Sequence, residues 1–157
     1  MTVRKTVLSA IAASILTLFS VIPVEAKGDS VYNTARNYIG MHERGNRTQL
    51  KTVTKVDPAR TPWCAAFVNG ILKQAGLRGT GSNMAKSFAK YGIATTSPRK
   101  GDIVLIKTSS RRGRSNSHVG IFDKFVGTRV AVLGGNQSNM VKVTHFHKKN
   151  VVSYRKV

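Results

Sequence analysis

Hydrophobic positions change their spacing twice along this chain, and the changes divide it into three stretches. In the first, Arg4 and Lys5 precede an uncharged, mostly apolar run from Val7 to Ile22, followed by Pro23 and the small-residue pattern Val24-Glu25-Ala26. A basic start, an apolar centre and a small-residue end read as a secretory signal peptide over residues 1–26. The sixteen-residue run falls short of the roughly 20 residues needed to span a bilayer. Membrane contact is therefore expected only through the uncleaved signal, and Lys27 is the expected first residue after cleavage.

The second stretch has helical spacing. Asp29-Ser30 is a capping sequence for a helix running to about Ile39, with Val31, Ala35, Tyr38 and Ile39 as its apolar stripe and Gly40 as its stop. From Glu43 to Arg60 the residues are polar and weakly periodic, with Gln49, Leu50 and Val53 suited to a short helix. In Thr61-Pro62-Trp63-Cys64-Ala65-Ala66-Phe67-Val68-Asn69-Gly70-Ile71-Leu72, Pro62 suits a first helical turn and the apolar positions predict a buried helix ended by Gly76. A Gly79-Thr80-Gly81-Ser82 turn then leads to a short amphipathic helix from about Asn83 to Lys90.

After Pro98-Arg99-Lys100-Gly101 the pattern becomes strand-like, in short runs at residues 102–106, 118–122, 129–133, 140–143 and 151–154. Val126-Gly127-Thr128 is a hairpin turn between the second and third runs. Helices first and an antiparallel sheet second define an α+β class. No repeat, low-complexity block or Pro/Ser-rich linker interrupts residues 27–157, so one domain is expected there, in the common size range of about 100–150 residues.

Charge changes the picture. The chain has 26 Lys and Arg against 6 Asp and Glu, a net +20. Residues 1–26 hold Arg4, Lys5 and Glu25, so residues 27–157 keep +19. Such a body seeks polyanions, and export points to anionic lipids or to wall polymers with free carboxylates or phosphates rather than nucleic acid. No zinc finger, helix-turn-helix or aromatic-rich strand motif supports nucleic acid as the main partner. The densest basic point, Arg111-Arg112-Gly113-Arg114, reads as a solvated loop.

Cys64 is the only cysteine, so an internal disulfide is excluded and the thiol must be buried, paired between molecules or reactive. A monomer is expected, because a dimer through Cys64 would block its chemistry. The four histidines, 42, 118, 145 and 147, lack metal-ligand spacing, and neither a metal nor another cofactor is expected. A thiol at the start of a helix meets unpaired backbone N–H groups that favour its anion. Cys64 has that position and otherwise reads as a small core residue. His118, opening an apolar strand, is the candidate base or a strand-edge histidine without a role. His145 and His147 look solvent-facing, and His42 carries no stronger signal. A base needs an orienting group. Asn136, after Leu133-Gly134-Gly135, is a candidate for it and equally a turn residue tolerating positive φ. Asp123 ranks below it, since strand alternation turns it to the face opposite His118.

The blocks Thr61-Pro62-Trp63-Cys64-Ala65-Ala66-Phe67-Val68-Asn69, Gly79-Thr80-Gly81-Ser82, Gly101-Asp102-Ile103-Val104, His118-Val119-Gly120 and Leu133-Gly134-Gly135-Asn136-Gln137-Ser138, in that order, resemble the CHAP and NlpC/P60 cysteine peptidases. The resemblance runs from Tyr32 to Tyr154 and is narrowest to compact CHAP-like proteins that share the W-C-A-A-F-V-N and G-G-N-Q-S blocks. It implies a papain-like α+β fold in which the cysteine helix packs on an antiparallel sheet. It also implies Cys64 as nucleophile, His118 as base and then acid, and Asn136 as the group orienting the imidazole. Many CHAP enzymes carry Glu near that third position, where this chain has glycines.

The implied activity is peptidoglycan hydrolysis, by an amidase acting between muramic acid and L-alanine or by an endopeptidase of the stem or cross-bridge, in the periplasm or outside the cell. Trp63, Ser82 and Asn83, with Met84, are the candidates for lining the substrate cleft, and Trp63 fits core packing equally well. The Cys64 N–H is the candidate oxyanion donor. Two other readings stand beside this one. A catalytically silent cationic wall-binding protein would keep its function in Cys64→Ala, and a secreted antibacterial toxin of the same chemistry would kill neighbouring cells.

Overall fold

The computed structural model describes residues 27–109 and 115–157, so the signal-peptide reading and the Arg111–Arg114 cluster lie outside the described residues. Helices α1 (Lys27–Arg36), α2 (Arg47–Thr54) and α3 (Cys64–Gln74) come first, followed by a 3₁₀ helix at Ala85–Lys90. The strands are β1 (Ile93–Thr95), β2 (Ile103–Ser109), β3 (Ser115–Val126), β4 (Arg129–Gly134), β5 (Lys142–His147) and β6 (Val151–Lys156). They form one antiparallel sheet in the order β1-β6-β2-β3-β4-β5. The fold is α+β, as the sequence pattern predicts, and compatible with the papain-like arrangement.

Several elements differ from expectation. Asp29 and Ser30 lie within helix α1, which already includes Lys27, the first described residue, so they do not cap it, and the helix gives way to turns after Arg36. Helix α3 starts at Cys64 itself, which leaves Pro62 just outside the first turn. The helix expected from Asn83 is a 3₁₀ helix from Ala85. The strand expected at 140–143 starts two residues later, because Val141 pairs instead with the segment after α1. Gly40 N–H donates to Val141 O and Val141 N–H to Met41 O, both at 2.9 Å. Between β3 and β4 the loop is Gly127-Thr128, with Gly127 at φ +54°, the positive value a two-residue hairpin needs at its first position.

Helix α3 is apolar on most of its circumference and is correspondingly enclosed. Ala65, Ala66, Phe67, Val68, Ile71 and Leu72 are all buried, packed between α1, α2 and one sheet face carrying Ile103, Leu105, Val119, Ile121 and Leu133. A smaller cluster of Val104, Ile106, Phe122, Val130 and Val132 lies on the opposite face, partly covered by Phe146, Val151 and Tyr154. Asp102, buried at the start of β2, ties the sheet together at its base. Its carboxylate accepts from Arg99 N–H at 2.8 Å and from Val157 N–H at 3.4 Å.

Two residues of α3 fix its neighbours. Asn69 donates from Nδ2 to Ser82 O at 2.8 Å and accepts at Oδ1 from Thr80 N–H at 2.8 Å, holding the Gly79–Ser82 loop against the helix. Gly70 lets α2 approach, since a Cβ there would lie 2.2 Å from Val53 O and 2.8 Å from Val53 Cγ2. The first of these is backbone and cannot yield without moving α2. We expect Gly70→Ala to lower the unfolding free energy by about 1–3 kcal/mol, read from urea denaturation. Gly45→Ala, whose Cβ meets nothing within 4 Å, should change it by no more than about 0.5 kcal/mol. Equal effects at the two positions would contradict this packing account.

Candidate active site

Strands β3 and β4 part company at a definite point. Their register runs to Ile121↔Leu133, and beyond it β3 continues alone towards Ser115 on that edge. Chain separation follows from what lies between: a Cβ on Gly135 would sit 2.4 Å from Cζ3 of Trp63 and 2.8 Å from Cβ of Phe67. The chain after β4 can therefore pass only as glycine over the indole. The N-terminus of α3 occupies the gap, and the thiol of Cys64 receives the backbone N–H of Val119, which has no β4 partner there.

A cleft of about 700 Å³ opens at this point, lined by Cys64, His118 and Asn136 together with Asn83, Lys86 and Lys142. The structure thus brings together the nucleophile, base and third residue predicted from sequence. The imidazole of His118 stacks obliquely on Phe146, with centroids 5.6 Å apart. Its residue is partly exposed at the cleft, yet Nε2 is fully enclosed and has no hydrogen-bond partner among the described residues. The first intrahelical bond of α3 is Phe67 N–H to Trp63 O, so the N–H groups of Cys64, Ala65 and Ala66 are free of it, as at any helix start.

The electrostatics of the pair differ from expectation. Burial pushes the Cys64 thiol above its ordinary pKa, outweighing the N–H groups of Val119, Ala65 and Cys64 itself, which favour the anion. Burial also lowers His118 to about 4. The helix start alone therefore does not make a standing thiolate: desolvation disfavours both charges, and the resting pair is a neutral thiol beside a neutral imidazole.

Other predicted site residues are placed as follows. Asn136 is half-buried at φ +59°, the left-handed conformation its turn reading anticipated, and its side chain makes no hydrogen bond among the described residues. Asn83 lines the cleft, exposed. Trp63 does not line it and is corrected to a core residue: it is fully buried, edge-on to Phe67 at 6.1 Å, with Nε1 donating to Glu43 at 3.3 Å. Ser82 is likewise corrected to a structural role, since its carbonyl accepts from Asn69 and its hydroxyl from Met84 N–H at 3.2 Å. Asp123 pairs with Lys100 at 2.8 Å, away from the cleft. His145 and His147 are exposed, and His42 Nδ1 accepts from Arg44 N–H at 3.2 Å.

Sequence reasoning missed Lys86, Lys142 and Gln137. The alternation of β5 places Lys142, Thr144 and Phe146 together along the cleft. That signal was present in the sequence but needs the strand boundary to be read. Among the described residues no group of three or more His, Cys, Asp or Glu is placed to hold a metal ion.

A cysteine and a histidine share one cleft, the first at a helix start and the second on a strand of the sheet, which is the arrangement thiol-dependent acyl transfer requires. Residues 56–136 match the family model of the CHAP domain, 81 of the 157 residues, and the chain belongs to that family. CHAP domains are typically cysteine- and histidine-dependent amidases or peptidases. No curated protein matches the chain.

The low pKa of His118 has a stability consequence. An imidazole held at about 4 in the folded state and 6.5 in its absence resists a proton that the unfolded chain accepts. Its stabilisation is complete above pH 6.5 and is lost as the pH falls through 4. The full loss is about 3 kcal/mol. Denaturation curves between pH 7 and pH 4 should therefore fall more steeply for the wild type than for His118→Ala, and parallel curves would refute the neutral imidazole.

Proposed function

We propose that this chain is an exported peptidoglycan hydrolase that cleaves an amide bond of the wall peptide, either as an N-acetylmuramoyl-L-alanine amidase or as a stem or cross-bridge endopeptidase. The observation that carries the reading is the shared cleft of Cys64 and His118 in a CHAP-family chain. His118 takes the thiol proton as Cys64 attacks the amide carbonyl. The resulting oxyanion lies at the start of α3, within reach of the Cys64 N–H. His118 then returns the proton to the leaving nitrogen, and water, deprotonated by the same imidazole, releases the acyl group from the thioester. Because the resting pair is neutral, the charge separation arises only as substrate closes the cleft and supplies the oxyanion contacts.

Charge supports a wall polymer as substrate. Residues 27–157 contain five carboxylates, and four are engaged within the fold: Asp57 by Arg47 and Arg60, Asp123 by Lys100, Asp102 by backbone N–H groups and Glu43 by Trp63. None lines the cleft, whereas Lys86 and Lys142 do. An acidic peptide strand fits such walls, and the positive surface would retain the protein on anionic wall polymers, at the cell surface or in the periplasm.

Digestion of purified peptidoglycan, with mass spectrometry of the released fragments, tests the activity and identifies the bond. Release should fall to background in Cys64→Ala and by about 100-fold or more in His118→Ala. No release by the wild type across several wall types, with its thiol reduced, would favour a cationic wall-binding protein instead. Adhesion of Cys64→Ala to wall fragments should weaken steeply once ionic strength exceeds about 0.1 M, where the Debye length is about 10 Å. Adhesion indifferent to salt would remove the electrostatic account.

A further inference from the structure

Among the described residues three buried polar atoms of the cleft have no hydrogen-bond partner: His118 Nε2, Gln137 Oε1 and Thr144 Oγ1. The side chains of His118 and Gln137 converge on the space that Gly134 leaves open. A Cβ on Gly134 would lie 3.3 Å from His118 Nε2, 3.1 Å from Gln137 Nε2 and 3.4 Å from Gln137 Cδ. Any larger residue at position 134 would come between them.

The orientation of the Gln137 amide is fixed by its other end. Its nitrogen donates to Gly134 O at 3.0 Å and Lys142 O at 2.5 Å, with Val132 O at 3.3 Å. Three carbonyls around one end identify that end as the NH₂ group, since an oxygen there would face only acceptors. The carboxamide oxygen is the atom left over, buried and able only to accept. An unpaired buried acceptor and an unpaired imidazole nitrogen each carry a desolvation penalty that one shared bond removes.

We infer that Gln137 is the residue that positions His118: its Oε1 accepts a hydrogen bond from the imidazole Nε2–H and so fixes the tautomer that leaves Nδ1 free to take the Cys64 proton. The inference rests on the Cys64–His118 reading above. The bond is not closed in the structure as it stands, and catalytic hydrogen bonds commonly tighten only when substrate is bound. Gln137 lies one residue beyond the family match, which ends at Asn136.

Two neighbours compete for the role, and the structure favours neither. Asn136 is half-exposed and open to the cleft, where water competes for its amide, whereas Gln137 is only 6% exposed. Thr144 Oγ1 is buried and unpaired in the same cleft, but a hydroxyl donates as readily as it accepts and cannot dictate a tautomer. The charged groups of the cleft walls are Lys86 in the 3₁₀ helix and Lys142 on β5, and no carboxylate lines the cleft to hold a protonated imidazole.

The test reads the imidazole directly. In ¹⁵N spectra of the histidine-labelled protein, with His118 assigned by its loss in His118→Ala, the wild type should show a single Nε2–H tautomer near pH 7. Gln137→Ala should show mixed tautomers and a drop in Cys64-dependent wall release. Asn136→Ala should keep the single tautomer. An Nδ1–H tautomer in the wild type overturns the inference even if every variant fails to fold. So does an unchanged tautomer in Gln137→Ala, or mixed tautomers in Asn136→Ala. These readouts need no substrate. A fixed Nε2–H tautomer in a protein that releases nothing from walls would leave this inference standing while the hydrolase reading fails.

Discussion

The active cleft depends on one steric constraint, the passage of the chain over the indole of Trp63. Trp63 is held at the head of α3 by Phe67 and Glu43, and its ring lies where a side chain on residue 135 would be. Glycine there lets the chain after β4 cross the ring, and in crossing it leaves β3. The separation does two things at once. It gives the start of α3 a place at the sheet edge, and it frees the Val119 N–H for the thiol. A continuous β3–β4 ladder would satisfy that N–H within the sheet and leave the thiol no seat. Gly134 and Gly135 thus leave space, which is filled by the indole on one side and by His118 and Gln137 on the other.

Burial in that seat sets the chemistry. An ion pair of thiolate and imidazolium needs solvent or nearby charge to stabilise both partners, and here desolvation pushes each towards its neutral form. The three N–H groups at the thiol narrow the gap without closing it. In the proposed mechanism the proton transfer is therefore coupled to substrate binding, which alone would bring a developing oxyanion to the helix start. A neutral resting thiol also reacts slowly with adventitious electrophiles.

Much of this was legible in the sequence, and the reasons are specific. Cys64 announces itself because Pro62 and the apolar spacing of Phe67, Val68, Ile71 and Leu72 locate a helix start within a residue or two. His118 opens a run whose alternation is plain, and the helices-then-strands order gives the fold class. The rest was not legible for equally specific reasons. The segment at 85–90 is six residues long, too short for its apolar spacing to tell an α-helix from a 3₁₀ helix. Strand β1 is a three-residue edge whose only partner is β6, far along the chain. Trp63 carries the same sequence signal whether it faces a cleft or a core, and only its contact with Gly135 decides. Gln137 is hidden for a related reason: its amide turns inward because Asn136, Ser138 and Asn139 all adopt positive φ, and no hydrophobic period encodes such a loop.

Charge and chemistry are separated in this molecule. The carboxylates that most proteins spread over their surfaces are few here, and four of the five in residues 27–157 are consumed in fixing α2, the sheet base, the turn before β2 against β3, and the indole. What remains outside is cationic, and its attraction to a polyanion acts over distances comparable to the Debye length, about 8 Å at physiological salt. Cys64 and His118 are half-buried in the cleft and uncharged at rest. In the proposed reading salt would then act on adhesion far more than on the proton transfer between them. On that reading the cationic surface would hold a charged polymer as a whole, and the choice of bond would fall to the few side chains around the cleft, Asn83, Lys86, Asn136 and Lys142 among them.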